Sequence, residues 1–273
     1  MSPDITSFFR QEMLPHIWCP GCGNGIVLRD FAVALEKLNY PRKQVVIVSG
    51  IGCSSRAAGY MDFDTVHTTH GRALPFATGI KFSNPELKVF VIMGDGDASS
   101  IGGNHLIHAC RRNIDLTAII FNNHIYGMTG GQFSPLTPRN KKATTAPYGM
   151  IEQSFDICRL AGAAGATFVG RATTYHNHLL TSLIVEGAKN KGFSLIEAVT
   201  HCPTSYGRRN AMATPTDMIR WQKDNAVWIN HIKDGSAKLE EGQFTIGVLH
   251  RHEAPEFTAE YQEVVRRARE KQK

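Results

Sequence analysis

Two sets of side chains in this sequence are suited to chemistry. The first is rich in oxygen donors and glycine. Gly94, Asp95, Gly96 and Asp97 close an apolar run, and 25 residues separate Gly96 from Asn122 and Asn123, which close another. A carboxylate and an amide are hard donors, few in number, of the kind that hold Mg²⁺ while leaving its other positions to phosphate oxygens and water. The flanking glycines let a ligand approach the backbone. Ser99, Ser100, Gly102 and Gly103, near a predicted helix start, add N–H groups suited to phosphate. Alone, Gly-Asp-Gly reads as a tight turn and Asn-Asn as a loop. Their strand–helix–strand spacing is what makes them a candidate site.

The second set is sulfur. Of six cysteines, Cys110 lies one turn beyond Leu106 and Ile107, and Cys158 lies among Phe155, Ile157 and Leu160; both read as small core residues. Cys19 and Cys22 form a CxxC loop ahead of a predicted helix, Cys53 follows the first predicted strand, and Cys202 follows the last. In a parallel sheet, Cys53 and Cys202 fall on the same edge as Asp95 and Asn123, so that four thiolates converge beside the oxygen donors. Four cysteines suit Zn²⁺ or an iron–sulfur cluster, and the CxxC alone also suits a dithiol redox pair. The ligands alone leave zinc and the cluster both open.

These residues need a scaffold that gathers strand ends. Residues 44–49, 64–68, 88–93, 115–121, 166–170 and 194–200 are short runs that read as strands, most of them rich in Val, Ile and Phe. Helix-length segments at 25–38, 72–83, 99–112, 154–164 and 176–189 alternate with them. In the first, Val27, Phe31, Ala34, Leu35 and Leu38 share one face. The alternation predicts an α/β fold, a mostly parallel sheet wrapped by helices on both faces. Residues 1–203 form that predicted domain. Residues 204–273 read as a C-terminal extension packed on it or on a partner, with one amphipathic helix over 214–232, a short strand over 244–249 and a basic helical tail over 261–273.

Composition bounds the function. The chain of 273 residues is 42% hydrophobic and 20% charged, with 25 Gly and 12 Pro, as in an ordinary globular protein. No apolar run reaches the roughly 18 residues of a membrane span. Asp4, Arg10 and Glu12 interrupt the start as a signal peptide would not be interrupted. A cytoplasmic protein with free or metal-bound thiols is expected. The net charge of +6 is spread over loose clusters (Arg139, Lys141 and Lys142; Arg208 and Arg209; Arg266, Arg267 and Arg269) without a nucleic-acid-binding signature, so anionic small ligands or acidic partners are favoured over nucleic acid.

Gly-Asp-Gly, about 25 residues, then Asn-Asn resembles the thiamine diphosphate-binding motif. That resemblance implies that Asp95, Asn123 and the Ile125 carbonyl hold Mg²⁺, and that Gly96, Asp97, Tyr126, Gly127, Met128 and Thr129 line the diphosphate. His70, Gly71 and Arg72 follow another predicted strand. His70 and Arg72 are candidates to meet the phosphates, and His67 reads equally as a structural hydrogen-bonding residue. Trp18, Cys19, Pro20, Gly21, Cys22, Gly23, Asn24 and Gly25, together with Gly50, Ile51, Gly52, Cys53 and Ser54, then His70 to Ala73, and the Gly94–Asn123 run, jointly resemble the β subunit of 2-oxoacid:ferredoxin oxidoreductases over roughly residues 10–260.

The family resemblance implies one [4Fe-4S] cluster on Cys19, Cys22, Cys53 and Cys202, with Cys19, Pro20, Ile51, Gly52, Gly71 and Gly94 near the cofactors. It implies coenzyme A-dependent oxidative decarboxylation of a 2-oxoacid, reversible with CO₂, with electrons leaving to ferredoxin. The segment from Cys202 to Asn210 resembles the 2-oxoglutarate group more than the pyruvate group, and Arg208 or Arg209 would suit a distal carboxylate, a coenzyme A phosphate or a structural role. No Glu is placed to activate the aminopyrimidine ring, so an α subunit is expected to complete the site. Two rival readings remain at this level. A non-redox thiamine decarboxylase subunit leaves the cysteines idle, and a zinc-stabilised assembly protein leaves the diphosphate site idle.

Overall fold

Most of the strands come from runs of Val, Ile and Phe, whose branched or aromatic side chains pack well on a pleated surface. In the computed structural model, which describes residues 5–212 and 214–271, they are Val45–Ser49 (β1), Asp64–His67 (β2), Lys88–Gly94 (β3), Thr117–Asn122 (β4), Phe168–Thr173 (β5) and Ser194–Val199 (β6). The helices between them are Asn24–Leu38 (α1), Arg56–Tyr60 (α2), Ala73–Ser83 (α3), Gly103–Arg112 (α4), Ile157–Ala163 (α5) and Asn177–Lys189 (α6). Then come Pro215–Asn225 (α7), Ala226–Trp228 (β7), Ile229–Lys233 (α8), Phe244–Arg251 (β8) and Phe257–Glu270 (α9). Residues 272 and 273, the end of the predicted tail, lie outside the described residues, as do residues 1–4 of the predicted first domain.

The eight strands form one sheet in the order β2-β1-β3-β4-β6-β5-β8-β7. Every pairing is parallel except that of β8 with β5. From β1 the chain moves outward to β2, and from β3 it moves the other way to β4, so the direction of winding reverses between β1 and β3. Open α/β sheets bind ligands at the C-terminal side of such a switch.

Alternation along the strands divides the core. Phe90 and Ile92 of β3 face α1, α2 and α6, with Phe31, Tyr60 and Leu183 among their neighbours in that layer. Val89, Val91 and Met93 face α3, α4 and α5, with Leu74, Leu106 and Ile157. Each large apolar side chain fully removed from water contributes roughly 1.5–3 kcal/mol, and two continuous layers hold the strand ends in register.

Several boundaries differ from the sequence expectation for identifiable reasons. The predicted helix over 99–112 is split into a π-helical turn, Asp97–Ile101, and α4. The helix predicted from 154 begins at Ile157 because the Asp156 carboxylate caps it, accepting from the N–H groups of Cys158 and Arg159. The single helix predicted over 214–232 breaks after Asn225, where Ala226–Trp228 leaves helical geometry to pair with β8. Residues 244–251 extend the main sheet, so the change of sequence character at 203 does not divide the sheet. The extension is tied down further by Asn113, whose side-chain N–H donates to the Ala254 and Pro255 carbonyls, and by Phe82 against Phe257 and Tyr261. Among the described residues no helix is long and apolar enough to cross a membrane.

The strand predicted over 166–170 runs instead to Thr173, through Arg171. Arg171 is buried because its guanidinium donates to Glu197 Oε2 and Asp156 Oδ1, both at 2.5 Å, while Glu197 Oε1 accepts from Asn122 at 2.7 Å. Removing one member of a buried pair leaves an uncompensated charge, which typically costs 3–5 kcal/mol. Arg171→Leu is therefore expected to lower the unfolding free energy by about 3–5 kcal/mol in urea titrations, and an effect below about 1 kcal/mol would mean that the network is solvated.

Candidate functional site

The loops after β1, β2, β3 and β4 meet at one edge around a cavity of about 140 Å³. Ile51, Gly52 and Cys53 come from the first loop, His70 from the second, Gly94 to Asp97 from the third, and Asn123, Ile125, Tyr126, Gly127, Met128 and Thr129 from the fourth. Ligand pockets usually enclose about 300–1,000 Å³, so this wall surrounds only part of a cofactor-sized molecule. Ile51 and Met128 leave 46% and 42% of their surface exposed at its rim. A larger groove between α3 and α9 is lined by Phe82, Tyr261 and Arg266, but Arg266 is already paired with Glu263 and Glu270, and nothing there is arranged for chemistry.

Asp95 is buried at the floor. Its Oδ2 accepts from the Ser134 hydroxyl. Burial raises its pKa to about 7, against the pull of Ser134 and of the Asp95, Gly96 and Asn123 main-chain N–H groups. Among the described residues no Lys or Arg forms an ion pair with this carboxylate, and a buried charge is normally paired or metal-bound. A divalent cation would supply a counter-charge, and the donors beside it fit one: the Asn123 amide is buried in the same wall, with Ile125 two residues on. The Asn123 Oδ1 accepts from the Ile125 N–H at 3.2 Å, which folds the chain back over the floor. Asn122, by contrast, points into the scaffold and serves Glu197. Ser134 gave no signal in the sequence, because it lies in a long irregular loop and acts only through its burial against Asp95.

Asp97 lines the cavity, and one oxygen of its carboxylate is engaged while the buried Oδ2 has no hydrogen-bond partner. Oδ1 lies 2.5 Å from His70 Nδ1 and accepts from the Gly71 N–H at 2.6 Å. An anionic side chain turned towards His70 is suited to positioning that ring rather than to meeting a phosphate directly. The Tyr126 ring stands edge-on to His70, with centroids 5.9 Å apart, and its hydroxyl donates to the Gly96 carbonyl at 3.1 Å. Residue 96 has no room for a side chain, since a Cβ there would lie 2.2 Å from Tyr126 Cζ.

Other predicted residues fall outside the cavity wall. Arg72 is exposed and turns to His105 of α4, because its position opening α3 directs it along the helix surface. Gly71 is buried behind His70, and Cys19 and Pro20 belong to the sulfur site. His67 is a structural partner of Ser49 across β1 and β2. Ser99 donates to the Asp95 carbonyl at 2.5 Å; it, Ser100, Gly102 and Gly103 are absent from the wall, so the glycine-rich loops replace the predicted helix start. Arg209 donates to the Ser205 carbonyl at 2.8 Å, Arg208 is exposed, and neither reaches the cavity.

The CxxC loop lies against the end of β6. Gly23 N–H donates to the His201 carbonyl at 3.0 Å, which brings Cys22 up to Cys202, and the Trp18 indole N–H holds the Cys53 carbonyl at 2.7 Å. Burial, with the charges of the neighbouring thiols, pushes Cys22 up to about 12 and Cys53 to about 11. Without a cation, these two groups stay protonated at neutral pH; metal binding would displace the protons. Cys202 is buried, whereas Cys19 is exposed. Cys110 and Cys158 lie buried in the core layer under α3, α4 and α5.

Among the described residues, the only three or more His, Cys, Asp or Glu ligand atoms within 4.8 Å of one another belong to Asp156, Cys158 and Glu197, where the Arg171 guanidinium already supplies the cation. No three of the four thiols are that close. A Cβ on Gly127 would lie 3.6 Å from Cys53 Sγ and 3.7 Å from Cys202 Sγ. Gly127 also lines the cavity; one bare residue separates the two sites.

The family model for the C-terminal TPP-binding domain of thiamine pyrophosphate enzymes matches residues 50–198. The 2-oxoglutarate synthase subunit KorB of Methanocaldococcus jannaschii is 53% identical over 94% of this chain and 96% of its own length. Its Archaeoglobus fulgidus counterpart is 50% identical over 94% and 92%. A solved 2-oxoglutarate:ferredoxin oxidoreductase from Magnetococcus marinus, with 2-oxoglutarate, coenzyme A and succinyl-CoA bound, superposes with a TM-score of 0.86 at 29% identity, covering 98% of this chain and 91% of that one.

Asp95 also predicts a pH dependence. Its folded pKa of about 7 exceeds the ordinary 3.8, so between these values the folded chain holds a proton that the unfolded chain has lost. Its contribution to stability is complete below about pH 4 and is lost as the pH rises through about 7. In metal-free protein, Asp95→Asn should gain stability relative to wild type on going from pH 5 to pH 8 in urea titrations. Parallel profiles would place the carboxylate in solvent.

Proposed function

The chain belongs to the β subunits of the 2-oxoacid:ferredoxin oxidoreductases, with 2-oxoglutarate-type relatives, and on that premise we propose that it serves the oxidative, coenzyme A-dependent decarboxylation of 2-oxoglutarate to succinyl-CoA and CO₂, reversibly, with ferredoxin as electron partner. Thiamine diphosphate, when bound, supplies the carbon nucleophile and electron sink for the 2-oxoacid. Asp95, Asn123 and the Ile125 carbonyl would hold Mg²⁺, and the backbone of Gly94, Gly96 and residues 126–129 would cradle the diphosphate. Asp97 fixes the tautomer and direction of His70, so that the ring faces the cavity. Cys19, Cys22, Cys53 and Cys202 would hold a [4Fe-4S] cluster, which supplies a one-electron relay.

The observation that carries this reading is the shared wall at Cys53 and Gly127: a ligand against Gly127 in the cavity lies next to the thiols. The adjacency speaks against a non-redox decarboxylase, and a cluster can accept electrons beside the cavity where zinc cannot. The wall contains no Glu, and the buried Glu197 is spent on Arg171. An α subunit docking at the exposed Ile51 and Met128 would complete the ring-activating side of the site. A cytoplasmic location belongs to the same proposal and rests on the free thiols.

Anaerobic purification tests the reading. The protein should be brown, with about four irons per chain. Cys53→Ser should lose the colour while Cys110→Ser keeps it. Asp95→Ala should lose thiamine diphosphate binding, measured by calorimetry, and retain its iron. Zinc in place of iron, or joint loss of both cofactors in Asp95→Ala, would refute two adjacent sites.

A further inference from the structure

Six buried side-chain polar atoms of the described residues have no hydrogen-bond partner, and four of them belong to Asn24, Ser55 and Thr200. Each of these residues stands two positions from a quartet cysteine: Asn24 after Cys22, Ser55 after Cys53, and Thr200 before Cys202. Their exposures are 0%, 1% and 3%. Both the donor and the acceptor of the Asn24 amide are orphaned, although a buried polar group left unpaired normally costs stability. Two of the three also forgo the use their positions offer. Ser55 precedes α2 without capping it, and Asn24 opens α1 with no bond to that helix's backbone.

The arrangement around them is directional. The Asn24 main-chain N–H already points at Cys22 sulfur. Thr200 Oγ1 lies against Gly23, 2.2 Å from where a Cβ would stand, so Thr200 and Asn24 flank the same turn of the CxxC loop. The amide offers two N–H donors and each hydroxyl one. None of these donors bonds to a cysteine sulfur, so the acceptor left open to them is the sulfide of a bound cluster, which accepts such bonds.

We propose that Asn24, with Ser55 and Thr200, donates hydrogen bonds to the inorganic sulfide of the cluster held by Cys19, Cys22, Cys53 and Cys202 and thereby raises its one-electron reduction potential. This rests on the quartet holding a [4Fe-4S] cluster. The reduced cluster carries one more negative charge on its sulfurs than the oxidised one. Donors therefore stabilise the reduced form more, and their removal shifts the couple to lower potential. In a dry pocket the effect is not screened by water.

The test uses the full chain, purified anaerobically. Wild type, Asn24→Leu, Ser55→Ala and Thr200→Val are compared by iron content, by redox titration monitored by electron paramagnetic resonance, and by pulsed measurement of exchangeable-deuteron couplings to the reduced cluster. The expected result is four irons per chain throughout, a potential lower than wild type in Asn24→Leu, smaller downward shifts in the two hydroxyl variants, and loss of one or more deuteron couplings in Asn24→Leu. Should Asn24→Leu fail to fold, downward shifts in Ser55→Ala and Thr200→Val still support the proposal. Unchanged potentials and couplings in the variants that keep their iron would overturn it and leave these groups to buried water. An iron-free wild type would instead overturn the cluster reading itself.

Discussion

Because β2, β1, β3, β4 and β6 all run the same way, their C-terminal ends open onto one edge. Residues far apart in sequence must meet there: Cys53 behind β1, His70 behind β2, Asp95 behind β3, Asn123 behind β4 and Cys202 behind β6. Each of these residues lies within four positions of the strand end that precedes it, and so is pinned by that strand. Two apolar layers on opposite faces of the sheet fix that register, and the reversal of winding between β1 and β3 leaves the gap in which the cavity forms. A parallel sheet thus does for this site what a set of dedicated cross-links would otherwise have to do.

The same edge is electrostatically incomplete. Asp95 is buried without a cation, Cys22 and Cys53 are partly covered, and the proton affinities of all three are raised by loss of solvent. Elsewhere the fold provides the cation itself: Arg171 answers Glu197 and Asp156, and Lys81 answers Asp115. Among the described residues, Asp95 lacks the side-chain cation that Asp115, Asp156 and Glu197 each have. This division separates the Asp156, Cys158 and Glu197 cluster, which has metal-ligand chemistry but a guanidinium in place, from the two sites at the strand ends.

Much of this was legible in the residues. The alternation of apolar runs gave the sheet, and the positions of Cys53 and Cys202 relative to those runs placed both on the edge with Asp95. What escaped reading depended on tertiary contact. Arg171 looked like the end of a strand because its partners lie 15 and 26 residues away. Val227 and Trp228 continued a helical pattern, and only the free edge of β8 converts them to a strand. Arg72 has the right charge and the right loop for a phosphate contact, yet the start of α3 turns it away from the cavity. Asp97 looked like another oxygen donor, and its bond to His70 could not be read from spacing.

Of the four thiols, Cys19 alone is exposed, while Cys202 is buried and the other two are partly covered. The sulfur site therefore has one open corner. A centre held by these thiols would be reached through it, by its building blocks and by dioxygen alike. In the isolated chain Cys19 is the thiol of the four most open to oxidation, and whatever covers the CxxC loop would shield such a centre from air.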